Sequence, residues 1–297
     1  MGLRFEEIAL IETGEPLLDR CLNGGLRSNG AYMIASEQKA GKSSLARKLL
    51  FNFLSLGRKV LYFDTEQVFL EVVRSMLATQ LRKPYGQVTE EDFESIDPIL
   101  ENLICHDSTE IGEIFEKEGK FDFAALEREI ENKVGHGAEI IFYDNVTGLG
   151  ATGSTQERMK LVGMLQRVSK KNNVLVVLVG HTPSIEVDTL TRDVIDKAVE
   201  TGQFDAILNS TRRIVKRPAK PFGGSVNTQF DAIFMIWRLF QYWDAPNLAS
   251  KSWLIVEETR YTKPFTIGME FDGSCGHFEF KQVIGDDMGA LGGWKTI

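Results

Sequence analysis

The sequence predicts an α/β protein with a mostly parallel central sheet, helices on its faces, and antiparallel strands extending it on the C-terminal side. Three observations carry that expectation. Short apolar runs at Tyr32–Ala35, Val60–Phe63, Ile140–Tyr143 and Val174–Val179 alternate with stretches of helical periodicity, as parallel strands joined by crossover helices do. Polar residues follow each run (Lys42, Glu66, Asp144, His181), at the strand ends where open α/β sheets hold their ligands. The last third changes character: Ala232–Trp237, Trp253–Val256, Phe265–Phe271 and His277–Phe280 read as strands separated by the turn signals Asp244-Ala-Pro246 and Asp272-Gly273.

Composition bounds the rest. A chain of 297 residues, 43% hydrophobic, buries a large core in one or two domains. No apolar run reaches the roughly 18 residues of a membrane span, so no membrane partner is expected. The opening Met-Gly-Leu-Arg-Phe-Glu-Glu has acids where a signal peptide has a basic and then an apolar stretch. Cys21, Cys105 and Cys275 are scattered, which argues against a zinc site or disulfide framework and fits a reducing, cytoplasmic setting. A net charge of −8 excludes a uniformly basic nucleic-acid binder and leaves room for a local patch. The expected organisation is a short lead-in over 1–30, a core over 31–280, and a glycine-rich, poorly packed tail over 281–297.

In the lead-in, Thr13–Asp19 starts a helix that Asn23-Gly-Gly25 ends. Phe5 and Ile8 either cover the core edge or form a peg for a neighbouring subunit. The first apolar run leads into Ser36, Glu37, Gln38, Lys39, Ala40, Gly41, Lys42, Ser43 and Ser44, then a helix with Leu45, Leu49, Leu50 and Phe53 on one face. A strand, a tight loop and Gly-Lys-Ser at a helix start is the setting of a phosphate-binding loop. Its amides and the helix N-terminus face phosphate, Lys42 reaches the β- and γ-phosphates, and the Ser43 hydroxyl sits on Mg²⁺. Ser36 stands where G-x-x-x-x-G-K-[ST] has its first glycine; the alternative is a chance Gly-Lys-Ser at a helix start.

Gly57-Arg-Lys59 turns into the second strand, which ends in Asp64-Thr-Glu66, and a helix over about 67–82 stops near Pro84. Residues 90–118 hold eleven acids against Lys117 alone and read as a solvated helical surface. A helix over about 122–134 stops at Gly135-His-Gly137. The third run ends in Asp144, the Walker B pattern of an acid that holds Mg²⁺ directly or through water, or else a turn aspartate. Gly148–Thr155 reads as a mobile loop, 156–171 as a helix, and the fourth strand ends in Gly180-His-Thr182, where His181 is equally readable as a satisfied strand-end histidine. Residues 183–224 are irregular apart from a helix at about 188–200. Within them Arg212, Arg213, Lys216, Arg217 and Lys220 fall in one decapeptide without an acid, followed by Gly223 and Gly224. That cluster suits phosphate-backbone contacts with single-stranded DNA; the alternative is a charged surface, or an ion-pair partner for the acids of 90–118.

The order of these motifs resembles the RecA-type ATPase core over about residues 10–280. The residues that carry the likeness are Thr13-Gly…Leu18-Asp19…Gly24-Gly25-Leu26, the phosphate loop, Tyr62-Phe-Asp-Thr-Glu66, Ile141-Phe-Tyr-Asp144 and Gly180-His-Thr182. Gly223-Gly-Ser, Phe230-Asp-Ala-Ile-Phe-Met-Ile-Trp237, Glu257-Glu-Thr-Arg260 and Phe271-Asp-Gly273 complete it. Within the superfamily the sequence looks most like phage recombinases of the UvsX type, and it shares most features with DnaB-family hexameric helicases and phage primase-helicases. The resemblance implies a RecA-like P-loop ATPase with ATP and Mg²⁺ as cofactors. Lys42 and Ser43 would bind triphosphate and Mg²⁺, Glu66 would polarise the attacking water, and Asp144 would support the metal. His181 would sense the γ-phosphate and Arg260 would reach a neighbouring subunit's nucleotide. The implied protein is an ATP-dependent, DNA-stimulated recombinase acting in a cytoplasm, a phage host's included, as a homo-oligomeric filament or hexameric ring with replication or recombination accessory proteins. A ring helicase and a regulatory RecA-fold ATPase that binds no DNA, as in circadian-clock relatives, are the alternatives. Two departures stand out: Glu258 occupies a position where such recombinases often carry a second cation, and 183–224 is longer than the usual DNA loop.

Overall fold

The computed structural model describes residues 8–117, 120–146, 155–182, 229–239, 249–256 and 259–284, together with positions 193, 196, 197, 200 and 201. The chain opens with β1 (Leu10–Ile11), α1 (Pro16–Cys21) and β2 (Leu26–Arg27), with β1 and β2 paired antiparallel. This segment is packed onto the body of the protein: Ile11, Leu18, Cys21, Leu22 and Leu26 join the main hydrophobic cluster.

Then come β3 (Ala31–Ser36), α2 (Lys42–Ser55), β4 (Val60–Asp64), α3 (Phe69–Leu81), the short α4 (Glu90–Glu94) and α5 (Asp97–Leu100), β5 (Leu103–His106) and α6 (Ser108–Phe115). A small hairpin, β6 (Glu116–Lys117) with β7 (Lys120–Phe121), precedes α7 (Phe123–Gly135), β8 (Ile140–Asp144), α8 (Thr155–Asn172) and β9 (Leu175–His181). The last described elements are β10 (Ala232–Arg238), β11 (Lys251–Val256), β12 (Phe265–Asp272) and β13 (His277–Val283).

Nine of these strands form one sheet in the order β13-β12-β11-β10-β3-β9-β8-β4-β5. From β10 to β5 all neighbours are parallel; β10 to β13 pair antiparallel. The central parallel strands are apolar up to their last residues because both faces are covered. Successive side chains point to opposite faces, and the core divides accordingly. Tyr32, Ile34, Val60, Tyr62, Ile140 and Phe142 pack against α2 and α3, whereas Met33, Ala35, Leu61, Phe63, Ile141 and Tyr143 pack against α6, α7 and α8.

Three sequence-based expectations are corrected. The acid-rich stretch is not helical throughout: β5 lies within it and forms the sheet edge beside β4. β10, expected among the antiparallel strands, runs parallel to β3, with Ala232 opposite Tyr32 and Ile236 opposite Ser36. The chain beyond 280 is not wholly loose, since β13 runs to Val283 and both Val283 and Ile284 are buried.

Candidate nucleotide site

β3 lies mid-sheet, so the loop after it opens between β9 and β10, with Ser36 opposite His181 on one side and Ile236 on the other. The Ser36 side chain is fully buried and its hydroxyl donates to the Glu37 carbonyl at 2.7 Å; the Ser36 carbonyl accepts the Thr182 amide at 2.9 Å. Serine is thus accommodated in place of the motif's first glycine. The second glycine has no substitute. Gly41 caps α2 at φ +100°, and a Cβ there would stand 2.7 Å from the Phe278 ring. Among the described residues no side chain caps α2, so its leading amides and dipole face the loop, an arrangement suited to phosphate.

Behind the loop lies a buried charged cluster. Burial, the largest influence on Lys42, pulls its ammonium below the ordinary lysine value, against the opposing pull of Asp144 and Glu66. The Ser43 hydroxyl donates to Asp144 Oδ1 at 3.2 Å and the Tyr62 hydroxyl to Asp144 Oδ2 at 3.1 Å. Burial pushes the Asp144 carboxyl up to about 6 despite Arg47 and Lys42. A hydroxyl beside a desolvated carboxylate is an oxygen donor pair that Mg²⁺ fits. Asp64, at the end of β4, takes an Arg47 guanidinium N–H at 3.2 Å on one oxygen and the amides of Glu66 and Gln67 at 3.0 and 2.9 Å on the other. The Glu66 side chain is exposed at the mouth, where the Asn145 side-chain amide donates to it. Burial and then Lys42 lower the His181 imidazole below its ordinary value, against the pull of Glu66; its Nδ1 is buried without a hydrogen-bond partner among the described residues.

Lys42, Ser43, Glu66, Asp144 and His181 therefore meet at the C-terminal ends of β3, β4, β8 and β9. Of the remaining loop residues, Gln38 and Lys39 are exposed, Glu37 is half-buried and Ala40 is buried. Ser44 faces the Gly276 turn, away from the charged cluster. Arg260 lies at the opposite ends of the central strands, beside the starts of β3 and β10. It pairs with Asp231 at 3.5 Å, and Asp231 accepts the amide of Ala31, at the far end of β3 from the loop. Arg212, Arg213, Lys216, Arg217, Lys220, Gly223, Gly224 and Glu258 lie outside the described residues. Sequence reasoning missed Arg47, Asn145, the Phe271–Phe278 pair under Gly41 and Arg238. The last stacks on Phe271 at 4.0 Å, donates to the Ala249 carbonyl at 2.9 Å, and is pulled down to about 10 by burial. Arg47 alone carried a signal: a cation set among the apolar positions of a helix needs a buried partner.

A strand–loop–helix turn of the phosphate-loop pattern, faced by the buried Asp144 on a sheet of this order, defines a RecA-like P-loop ATPase. Residues 11–205 match the family model "ATPase: KaiC", and the chain belongs to that family of ATPases. Among curated proteins it is 24% identical over 171 residues to the DNA repair protein RadA of Listeria monocytogenes, covering 58% of this chain and 32% of that one. It is 31% identical over 70 residues to the archaeal flagellar ATP-binding protein FlaH of Methanocaldococcus jannaschii, covering 24% of this chain and 30% of FlaH. The chain thus spans about a third of the length of these relatives. Among solved structures, a DnaB-like replicative helicase superposes with a TM-score of 0.64 at 16% identity, covering 93% of this chain and 64% of the helicase. The KaiC-like protein PH0186 of Pyrococcus horikoshii superposes with a TM-score of 0.60 at 12% identity, covering 93% of this chain and 100% of PH0186. Among the described residues no helix is long and apolar enough to cross a membrane.

Proposed function

We propose that this chain is a DNA-dependent ATPase that binds single-stranded DNA as a recombinase in recombination, repair or replication, hydrolysing ATP between subunits of a homo-oligomer. The meeting of Lys42, Ser43 and Asp144 with Glu66, held by Asn145, supports the hydrolytic part. Lys42 and the leading amides of α2 hold the phosphates. Ser43 and Asp144 would hold Mg²⁺, which neutralises phosphate charge when bound. Glu66 orients and polarises the attacking water, and His181 offers a hydrogen bond to the terminal phosphate. Arg260 supplies a cation to the next subunit's site, which ties hydrolysis to assembly. Similarity to RadA, a DNA repair protein by name, supports the DNA part. Arg212, Arg213, Lys216, Arg217, Lys220 and the Gly223 and Gly224 amides would grip the strand, with an affinity that falls as salt rises.

Lys42→Ala is expected to abolish nucleotide-dependent binding to a labelled single strand; unchanged binding with and without ATP sinks the mechanism. Micrographs with DNA and a non-hydrolysable ATP analogue separate an open helical filament, the recombinase, from a closed hexamer, a helicase motor. The KaiC family match and the flagellar relative favour a second reading, a regulatory ATPase whose cations meet an acidic partner. DNA affinity that survives replacing the five cations with alanine selects it.

A further inference from the structure

Arg47 lies on α2 four residues after Ser43, so it is one helical turn below the phosphate cradle on the same face. It is buried, and a buried guanidinium is costly unless its charge is compensated and its terminal donors find acceptors; Nε has no hydrogen-bond partner among the described residues, so the two terminal nitrogens carry the contacts. Here the fork spans three acceptors. It donates to Asp64 Oδ2 at 3.2 Å, to the Gln67 side-chain carbonyl at 2.7 Å, and to the Ser75 hydroxyl at 2.9 Å. These lie at the end of β4, in the following turn, and on α3. The other Asp64 oxygen accepts the amides of Glu66 and Gln67. Glu66 therefore sits between two residues that Arg47 holds, on the turn that joins β4 to α3.

We propose that Arg47 is a positioning residue for Glu66: through Asp64 and Gln67 it locks the β4–α3 turn to the phosphate-binding helix, so the carboxylate and the cradle move as one body. This rests on the proposed role of Glu66 toward water. The lock needs a planar fork, because a lysine ammonium at the same position cannot reach acceptors on three segments in fixed directions. A purely structural Arg47 would stabilise the fold without acting through Glu66, and the two cases part in an epistasis experiment.

Arg47→Lys and Gln67→Ala are made alone and with Glu66→Gln, reading MgATP turnover, affinity for a non-hydrolysable ATP analogue, and thermal denaturation. Arg47→Lys is expected to lower kcat about 10- to 100-fold, as a displaced catalytic group does, with analogue affinity within about twofold. Gln67→Ala, at a half-buried position, is expected to lower kcat several-fold while the protein stays folded. Neither change lowers the residual turnover of Glu66→Gln further. Unchanged kcat in Arg47→Lys, or the same fractional loss with and without Glu66, overturns the proposal. If Arg47→Lys does not fold, Gln67→Ala decides by the same criteria. Full turnover in Glu66→Gln alone removes the role of Glu66 and the proposal with it, and that single variant identifies this outcome.

Discussion

Gly41→Ala tests whether the phosphate loop is shaped by the far end of the chain. The backbone there has φ +100°, and an added Cβ would stand 2.7 and 2.9 Å from two carbons of the fully buried Phe278 ring. The conformation costs an L-residue about 1–2 kcal/mol. Overpacking the ring, which is wedged against Phe271 at 4.6 Å between centroids, costs about 1–3 kcal/mol more. Gly41→Ala is therefore expected to lose about 2–5 kcal/mol, partly as stability and partly as a loop pushed off its phosphate geometry. If about 1.4 kcal/mol appears in the second form, affinity for an ATP analogue falls about tenfold. Urea denaturation and analogue titration measure the two parts. Phe278→Leu supplies the internal control: combined with Gly41→Ala it should be less destabilising than the sum of the single changes by about 1–3 kcal/mol, because only the clash is shared. Unchanged midpoint and affinity in Gly41→Ala, or strict additivity in the cycle, refutes this account of the loop.

Asp144→Asn is expected to stabilise the metal-free, nucleotide-free protein. A carboxyl raised from an ordinary value near 4 to about 6 holds its proton more tightly folded than unfolded, so stability falls as pH rises through that window. Relative to Asp144→Asn, the parent should lose on the order of 2–3 kcal/mol between about pH 4 and pH 7, read as a shift in denaturation midpoint; a constant difference across that range contradicts the assignment. Ile284→Ala should cost about 2–4 kcal/mol in urea denaturation, whereas a loose tail would show no change. Arg260→Ala and Lys42→Ala, each inactive alone, should regain turnover on mixing, because a Lys42→Ala subunit still lends Arg260 to an intact cradle; no recovery at any ratio counts against the role of Arg260 in trans.

The parallel strands were legible because they are buried on both faces and show as unbroken apolar runs ending in chemistry-bearing residues. The same property hid the direction of β10: a run such as Ala232–Trp237 is apolar whether its neighbour runs parallel or antiparallel, and only the crossover decides. β5 was invisible for the opposite reason. At four residues, half-buried at an edge and framed by acids, it has neither length nor a clean period. Lys42, Ser43, Asp144 and Glu66 were readable because the chemistry fixes their spacing from strand ends. Asn145 and the Arg47–Asp64–Gln67 contacts were not, since hydrogen bonds between separate segments leave no period in the sequence.

The polarity of β3 has a consequence for symmetry. Its loop end carries the phosphate cradle, and its other end, roughly 16 Å away along the strand, carries Asp231 and Arg260. A two-fold axis across the strand would set each cradle against the partner's arginine, complete both at once and close on two subunits. A ring or filament of more than two subunits, in which each Arg260 meets the cradle of one neighbour, must instead repeat one unlike contact head to tail, with a single direction along the whole array. Where such an array stays open, its two terminal subunits differ in kind: one exposes an unfilled cradle, the other an arginine with no cradle to enter.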